Sequence, residues 1–180
     1  MKELIAMLFI FSASILMAQE HENEPNNSAV FESGKNFISF EYAYTHITEA
    51  VPHDDLMKEE GHWVSSFGID YFRLISKKWR LGIKLDYELG HYIIPHKKSL
   101  KRENVFIALP TAFYSVLPGW AIYGGSGIEF EESENLFVNR LGTEYAFDLG
   151  NGWEFPIGFF GDFKKGYNTY ALTFAIGKTF

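Results

Sequence analysis

The chain has no cysteine, which excludes a disulfide framework, a thiolate metal site and a lipidated cysteine anchor. It has no apolar run of the ~18 residues that a membrane-spanning helix requires. It has no excess of positive charge. The formal balance of -7 lacks the basic footprint of a nucleic-acid binder, and no such partner is expected. Aromatic residues, in contrast, are abundant, with 18 Phe, 10 Tyr and 4 Trp in 180 residues. At 47% hydrophobic the chain is too apolar for disorder, and its length suits one domain. The sequence problem is where so many rings can go without a spanning helix.

The first residues form a targeting segment. Lys2 and Glu3 precede an apolar stretch from Leu4 to Ala18, and polar Gln19, Glu20 and His21 follow. This pattern reads as a secretory signal peptide over 1–18, cut after Ala18. Residues 19–35 are polar and aperiodic and read as a flexible periplasmic leader. Export without cysteine fits a bacterial envelope better than a disulfide-stapled secreted protein. Residues 36–180 then form the folded domain.

From Asn36 onward, apolar and polar residues alternate in eight segments, the signature of strands with two unlike faces. The clearest is 79–89, with Trp79, Leu81, Ile83, Leu85, Tyr87 and Leu89 on one face and Arg80, Gly82, Lys84, Asp86 and Glu88 on the other. The segment at about 37–48 puts Ile38, Phe40, Tyr42 and Tyr44 on its apolar face, and that at 63–75 puts Trp63, Phe67, Ile69, Tyr71 and Ile75 there. The segment at 104–117 is assigned Val105, Ile107, Leu109, Phe113 and Leu117, although Phe106 and Tyr114 lie on its other face. Trp120, Ile122, Ile128 and Phe130 mark 120–131, and Phe137, Leu141, Tyr145, Phe147 and Leu149 mark 136–149. Trp153, Phe155, Ile157, Phe159 and Phe163 mark 153–163, and Tyr170, Leu172, Phe174, Ile176 and Phe180 mark 170–180.

Ser76-Lys77-Lys78, Pro118-Gly119 and Gly150-Asn151-Gly152 read as hairpin turns. The remaining connections, at 49–62, 90–103, 132–135 and 164–168, are mostly longer and charged. Opposed residues across a hairpin must share a face. Each turn meets this rule, opposing Ile75 to Trp79, Leu117 to Trp120 and Leu149 to Trp153.

A soluble barrel turns its apolar face inward, whereas a membrane barrel turns it outward. Here the polar face is rich in small residues, which suit a narrow interior. Trp63, Trp79, Trp120 and Trp153 all lie on the apolar face at strand ends, the expected place for a belt at the lipid headgroups. The segments are also long enough to cross a bilayer at a tilt. The expected fold is therefore all-β: an eight-stranded antiparallel up-and-down transmembrane β-barrel with short periplasmic turns and longer extracellular loops.

On these residues the chain resembles the small eight-stranded outer-membrane β-barrels of the OmpA-transmembrane and OmpX type. The resemblance covers the mature chain and is sharpest in the last strand. It implies that Tyr170, Phe174, Ile176 and Phe180 form the C-terminal signal read by the barrel-assembly machinery. It also implies residence in the outer membrane, contact with outer-membrane lipid and a monomer. It does not imply an activity.

An interior this narrow is filled by side chains. The inward lumen charge network contains Asp70, Arg80, Lys84, Asp86, Glu88, Arg140, Glu144 and Asp162, with Glu41, Glu129, Asp148 and Glu154 on the same face. Register pairs Asp70 with Lys84 and Arg140 with Asp162. A polar plug is expected rather than an open pore, which needs more strands. Lys97, Lys98, Lys101 and Arg102 cluster in one loop and suit lipopolysaccharide phosphates. His53-Asp54-Asp55 and Glu59-Glu60-Gly61-His62 match no metal motif, so no metal or other cofactor is expected. His46, Thr48, Ser65, Ser66, Glu88 and His91 are the raw material for a lipid A-modifying enzyme. They show no local Ser–His pattern, so no catalytic residue is assigned. The expected role is structural or surface-interacting. A lipid A-modifying outer-membrane enzyme and a soluble periplasmic ligand-binding barrel are the alternatives.

Overall fold

Alternation becomes strand along most of the domain. A computed structural model describes residues 34–52, 61–95 and 100–180. The signal segment 1–18, nearly all of the leader, residues 53–60 and the His96-Lys97-Lys98 stretch lie outside the described residues. The strands are β1 (Asn36–Ile47), β2 (Val51–Pro52), β3 (His62–Leu74), β4 (Trp79–Ile94), β5 (Leu100–Leu117), β6 (Trp120–Phe130), β7 (Leu136–Gly150), β8 (Trp153–Lys164) and β9 (Tyr167–Thr179). Each long strand pairs antiparallel with its chain neighbour, and β1 pairs with β9 to close the ring. Eight long strands thus form a closed barrel. The two-residue β2 adds only to the far end of β4.

Three short turns lie at the end of the barrel that holds both Asn36 and Phe180. The Ser76 hydroxyl accepts from the amides of Lys78 and Trp79. Gly119 sits at φ 76°, a left-handed backbone that glycine adopts without strain. Asn151 and Gly152 have φ of 53° and 77°, as in a two-residue primed turn whose twist matches that of its strands. This turn is shorter than the three residues read from sequence, because Gly150 pairs with Trp153 and Leu149 is an extra residue in β7.

The apolar rows face outward on seven of the eight long strands. Phe40, Ile69, Leu81, Ile122, Leu141, Phe159 and Leu172 are all exposed. The soluble-barrel alternative requires the opposite arrangement. β5 corrects the sequence assignment. Val105, Ile107, Leu109 and Phe113 face the lumen, while Phe106 and Tyr114 face out. The cause is a bulge at the turn. Leu117 pairs with Trp120, but Ser115 pairs with Ala121, so Val116 has no opposite residue and the side-chain parity flips. Val116 and Leu117 are both outward, at 44% and 55% exposure.

The β4–β5 hairpin is longer than its expected boundaries at 89 and 104, with strands of 16 and 18 residues. Its far end stands beyond β6 and carries a second irregularity. Glu88 pairs with Val105 and His91 with Glu103, leaving Leu89 and Gly90 opposite Asn104, which has φ 51°.

Candidate functional site

Among the described residues, the inward face of the barrel is where the fold gathers many chemical groups. It is layered. At the short-turn end, Phe37, Phe72, Leu74, Phe113, Tyr123 and Phe160 pack together inside the wall. At the opposite end, Ile47, Val64, Tyr92, Ile94, Leu100, Leu136 and Tyr167 form a second apolar cluster. Among the described residues, ionisable side chains run through the lumen in five units, each a basic group reaching two carboxyl groups.

Arg80 reaches Glu144 at 2.8 Å and Glu154 at 3.9 Å. Lys84 contacts Asp70 at 2.5 Å and Glu41 at 3.0 Å. Arg140 donates two parallel hydrogen bonds to Asp162, at 2.6 and 2.8 Å, and a third to Asp86 at 2.5 Å. Lys164 meets Glu129 at 2.6 Å and Glu88 at 3.9 Å. Arg102 meets Glu129 and Glu131, both at 3.1 Å, and donates to the Glu134 carbonyl at 2.5 Å. Rings support these groups: the Arg140 guanidinium lies 3.7 Å from the Phe160 ring centre and that of Arg80 lies 4.8 Å from Phe113. Tyr167 donates to Glu129 at 2.6 Å and Tyr92 to Glu88 at 3.2 Å.

A charge inside a barrel must recover its lost hydration from fixed partners, and bidentate arginine–carboxylate contacts do this best. All eight charges assigned to the lumen from sequence lie here. The register places Asp70 opposite Lys84 and Arg140 opposite Asp162. Asp148 departs from the reading. It is exposed at the short-turn end, where its carboxylate accepts from the Gly150 amide at 2.8 Å.

Arg102 is a correction. The sequence groups it with Lys97, Lys98 and Lys101 as a lipopolysaccharide contact, yet it is 1% exposed and points into the lumen. The cause lies at Asn104. Glu103 and Asn104 both face out, so the alternation shifts by one residue and Arg102 takes the inward side that a regular strand would give to Glu103 and Lys101. Lys101 remains exposed, and Lys97 and Lys98 lie outside the described residues. Lys164 was missed altogether. Extending the inward row Glu154–Pro156–Gly158–Phe160–Asp162 by one more step would have found it.

Outside the strands, Glu131 ties the 131–135 loop to the barrel. Its partial burial pushes the carboxyl upward. Hydrogen bonds from the Ser133 hydroxyl and amide, with the charge of Arg102, outweigh burial and hold it below the usual carboxylate range.

The remaining sequence candidates are dispersed. The Ser65 hydroxyl lies 3.1 Å from that of Tyr42 on the outer wall, and Ser66 faces Thr45 inside. The His46 ring packs on Trp63, and His91 is exposed beside Glu103. The structure therefore brings neither serine together with His46 or His91. Trp63, Trp79 and Trp153 are exposed at strand ends and Trp120 is half-buried. Trp63 stacks on Tyr44 at 4.6 Å, and Lys178 lies 4.9 Å from the Trp153 ring centre. Tyr170, Phe174 and Ile176 form one outward row on the closing strand, and exposed Phe180 follows just past its end.

No protein-family model and no curated protein matches the chain by sequence. Solved structures match by shape. Neisserial surface protein A, NspA, is 12% identical with a TM-score of 0.55, over 81% of this chain and 97% of NspA. Ail, the attachment invasion locus protein of Yersinia pestis, is 14% identical with a TM-score of 0.54, over 83% of this chain and all of Ail. The outer membrane protein AlkL is 12% identical with a TM-score of 0.52, over 89% of this chain and 96% of AlkL. At these identities the likeness concerns the fold. It is that of the small eight-stranded outer-membrane β-barrels, and the apolar wall described above is the surface such a barrel turns to lipid.

Proposed function

We propose that this small outer-membrane β-barrel has a structural or surface-interaction role and that its lumen is a polar plug rather than a pore. The observation that carries the reading is the series of five cations, each between two carboxylates, that occupies the interior. An eight-stranded wall encloses just enough space for side chains, and here apolar clusters add to the filling towards both ends. Interaction with the outside then falls to the extended β4–β5 hairpin, where His91, Lys101 and Glu103 are exposed. The wall would contact outer-membrane lipid, and the outward row of β9 would present the insertion signal.

Fractionation of the envelope, with gel mobility compared before and after boiling, tests the placement. The expected result is an outer-membrane protein whose band shifts on boiling. A soluble periplasmic protein with no shift would overturn it. Mass spectrometry of lipid A from a deletion strain tests the role: an unchanged lipid A is expected, and a gained or lost acyl chain would replace the structural reading with an enzymatic one.

A further inference from the structure

The lipid-facing wall is not uniform. Most of its outward positions hold Phe, Tyr, Trp, Leu or Ile. Across β5, β6 and β7 they hold Ala108, Pro110, Ala112, Gly124, Ser126 and Asn139. These adjoin one another: Ala112 is opposite Gly124, and Ser126 is opposite Asn139. A shallow hollow of about 460 Å³ lies over Ala112 and Gly124, bordered by Trp79, Tyr114, Ile122 and Leu141.

The polar pair in this patch lies within the apolar belt. Ile128 and Phe137 stand on its extracellular side, and Ile122 and Leu141 on the other. The Ser126 hydroxyl donates to the Asn139 side-chain carbonyl at 2.8 Å. The two amide N–H donors of Asn139 have no partner among the described residues. Another polar pair on this wall is closed on itself: the Trp120 ring donates to the Thr143 hydroxyl at 2.6 Å, and that hydroxyl donates to the Ala121 carbonyl at 2.9 Å. A side-chain amide left unpaired against hydrocarbon is costly.

We propose that this patch docks a second copy of the chain, related by a two-fold axis along the membrane normal. Two copies inserted in the same sense can meet about such an axis, and each residue then faces residues of its own depth. The polar row of one copy thus meets the polar row of the other. A side-chain amide carries both donor and acceptor, so Asn139 satisfies itself against the same group across the axis. Small residues around it let the two walls approach closely, as they do between membrane helices. An acyl chain would fill the hollow but offers the amide nothing to bond. This reading differs from the monomer expected from the sequence.

The absence of cysteine makes the test direct, because single Asn139→Cys and Ser126→Cys variants carry the only thiol. The full-length protein is oxidised in native outer membranes, and folding is verified by the boiling shift. Either variant is expected to give a disulfide-linked band of twice the chain mass, while Phe40→Cys on the opposite wall stays monomeric. Asn139→Leu is expected to weaken dimerisation in density-matched detergent by about threefold or more, the scale of one intramembrane polar contact. Three results would overturn the proposal: folded variants at both positions giving no dimer, equal linkage through Phe40→Cys, or linkage to a protein of another mass.

Discussion

Two neighbouring residues, Lys101 and Arg102, have opposite fates. One is exposed on the extracellular hairpin, and the other is buried against Glu129 and Glu131. The difference is environment, and so is the expected cost of change. Arg140→Met leaves Asp86 and Asp162 without their shared cation inside the barrel. A stability loss of about 3–5 kcal/mol is expected, as for other broken buried pairs. Leu85→Arg introduces a charge on the lipid face, where Leu85 sits between Ile69 and Ala108. Its expected cost is about 2–4 kcal/mol near the bilayer middle. Urea titration of both variants in lipid vesicles measures these values. An unaffected Leu85→Arg would mean that the two faces of the wall are exchanged.

At the scale of the element, β5 shows what sequence pattern can and cannot reveal. Both of its faces are apolar, so alternation had no contrast to read, and the turn rule failed because Val116 is unpaired. The other seven long strands keep most of their charge on one face and most of their large apolar residues on the other, so their orientation was legible. The lumen set followed from that parity wherever the ladder is regular. It did not reach Arg102, which the sequence places in a loop at 90–103 but which lies on β5 beyond the irregularity at Asn104. The irregularity at Val116 is structural, so its deletion would force β5 to choose between its turn and its inward row. Loss of the boiling-sensitive folded band is the expected outcome in a refolding assay. A second element-scale expectation concerns the 131–135 loop. The Glu131 carboxyl titrates below its ordinary value of 4.5, so its anchoring is complete above that pH and is lost as the pH falls through the lower value. The Ser133 amide reports this in an NMR titration. Its midpoint should lie below 4.5 and rise in Arg102→Met.

For the whole molecule, the aromatic excess and the missing spanning helix have one cause. A barrel spreads its hydrophobic residues over every second position, so no long apolar run is needed. The rings do not all face lipid, however: Phe37, Phe72, Phe113, Tyr123 and Phe160 close around one end of the interior. These inward rings escaped the sequence reading because each was weighed against its own strand. The cluster exists only once five strands come together. The charge balance of -7 likewise does not mark a partner, since much of it is absorbed by an interior whose named carboxylates outnumber its cations. The central claim is that this interior is closed. Single-channel recording of the refolded barrel in a planar bilayer tests it most directly. No regular conductance steps are expected for the native protein under either polarity. Reproducible steps at the rate of protein insertion would contradict the account.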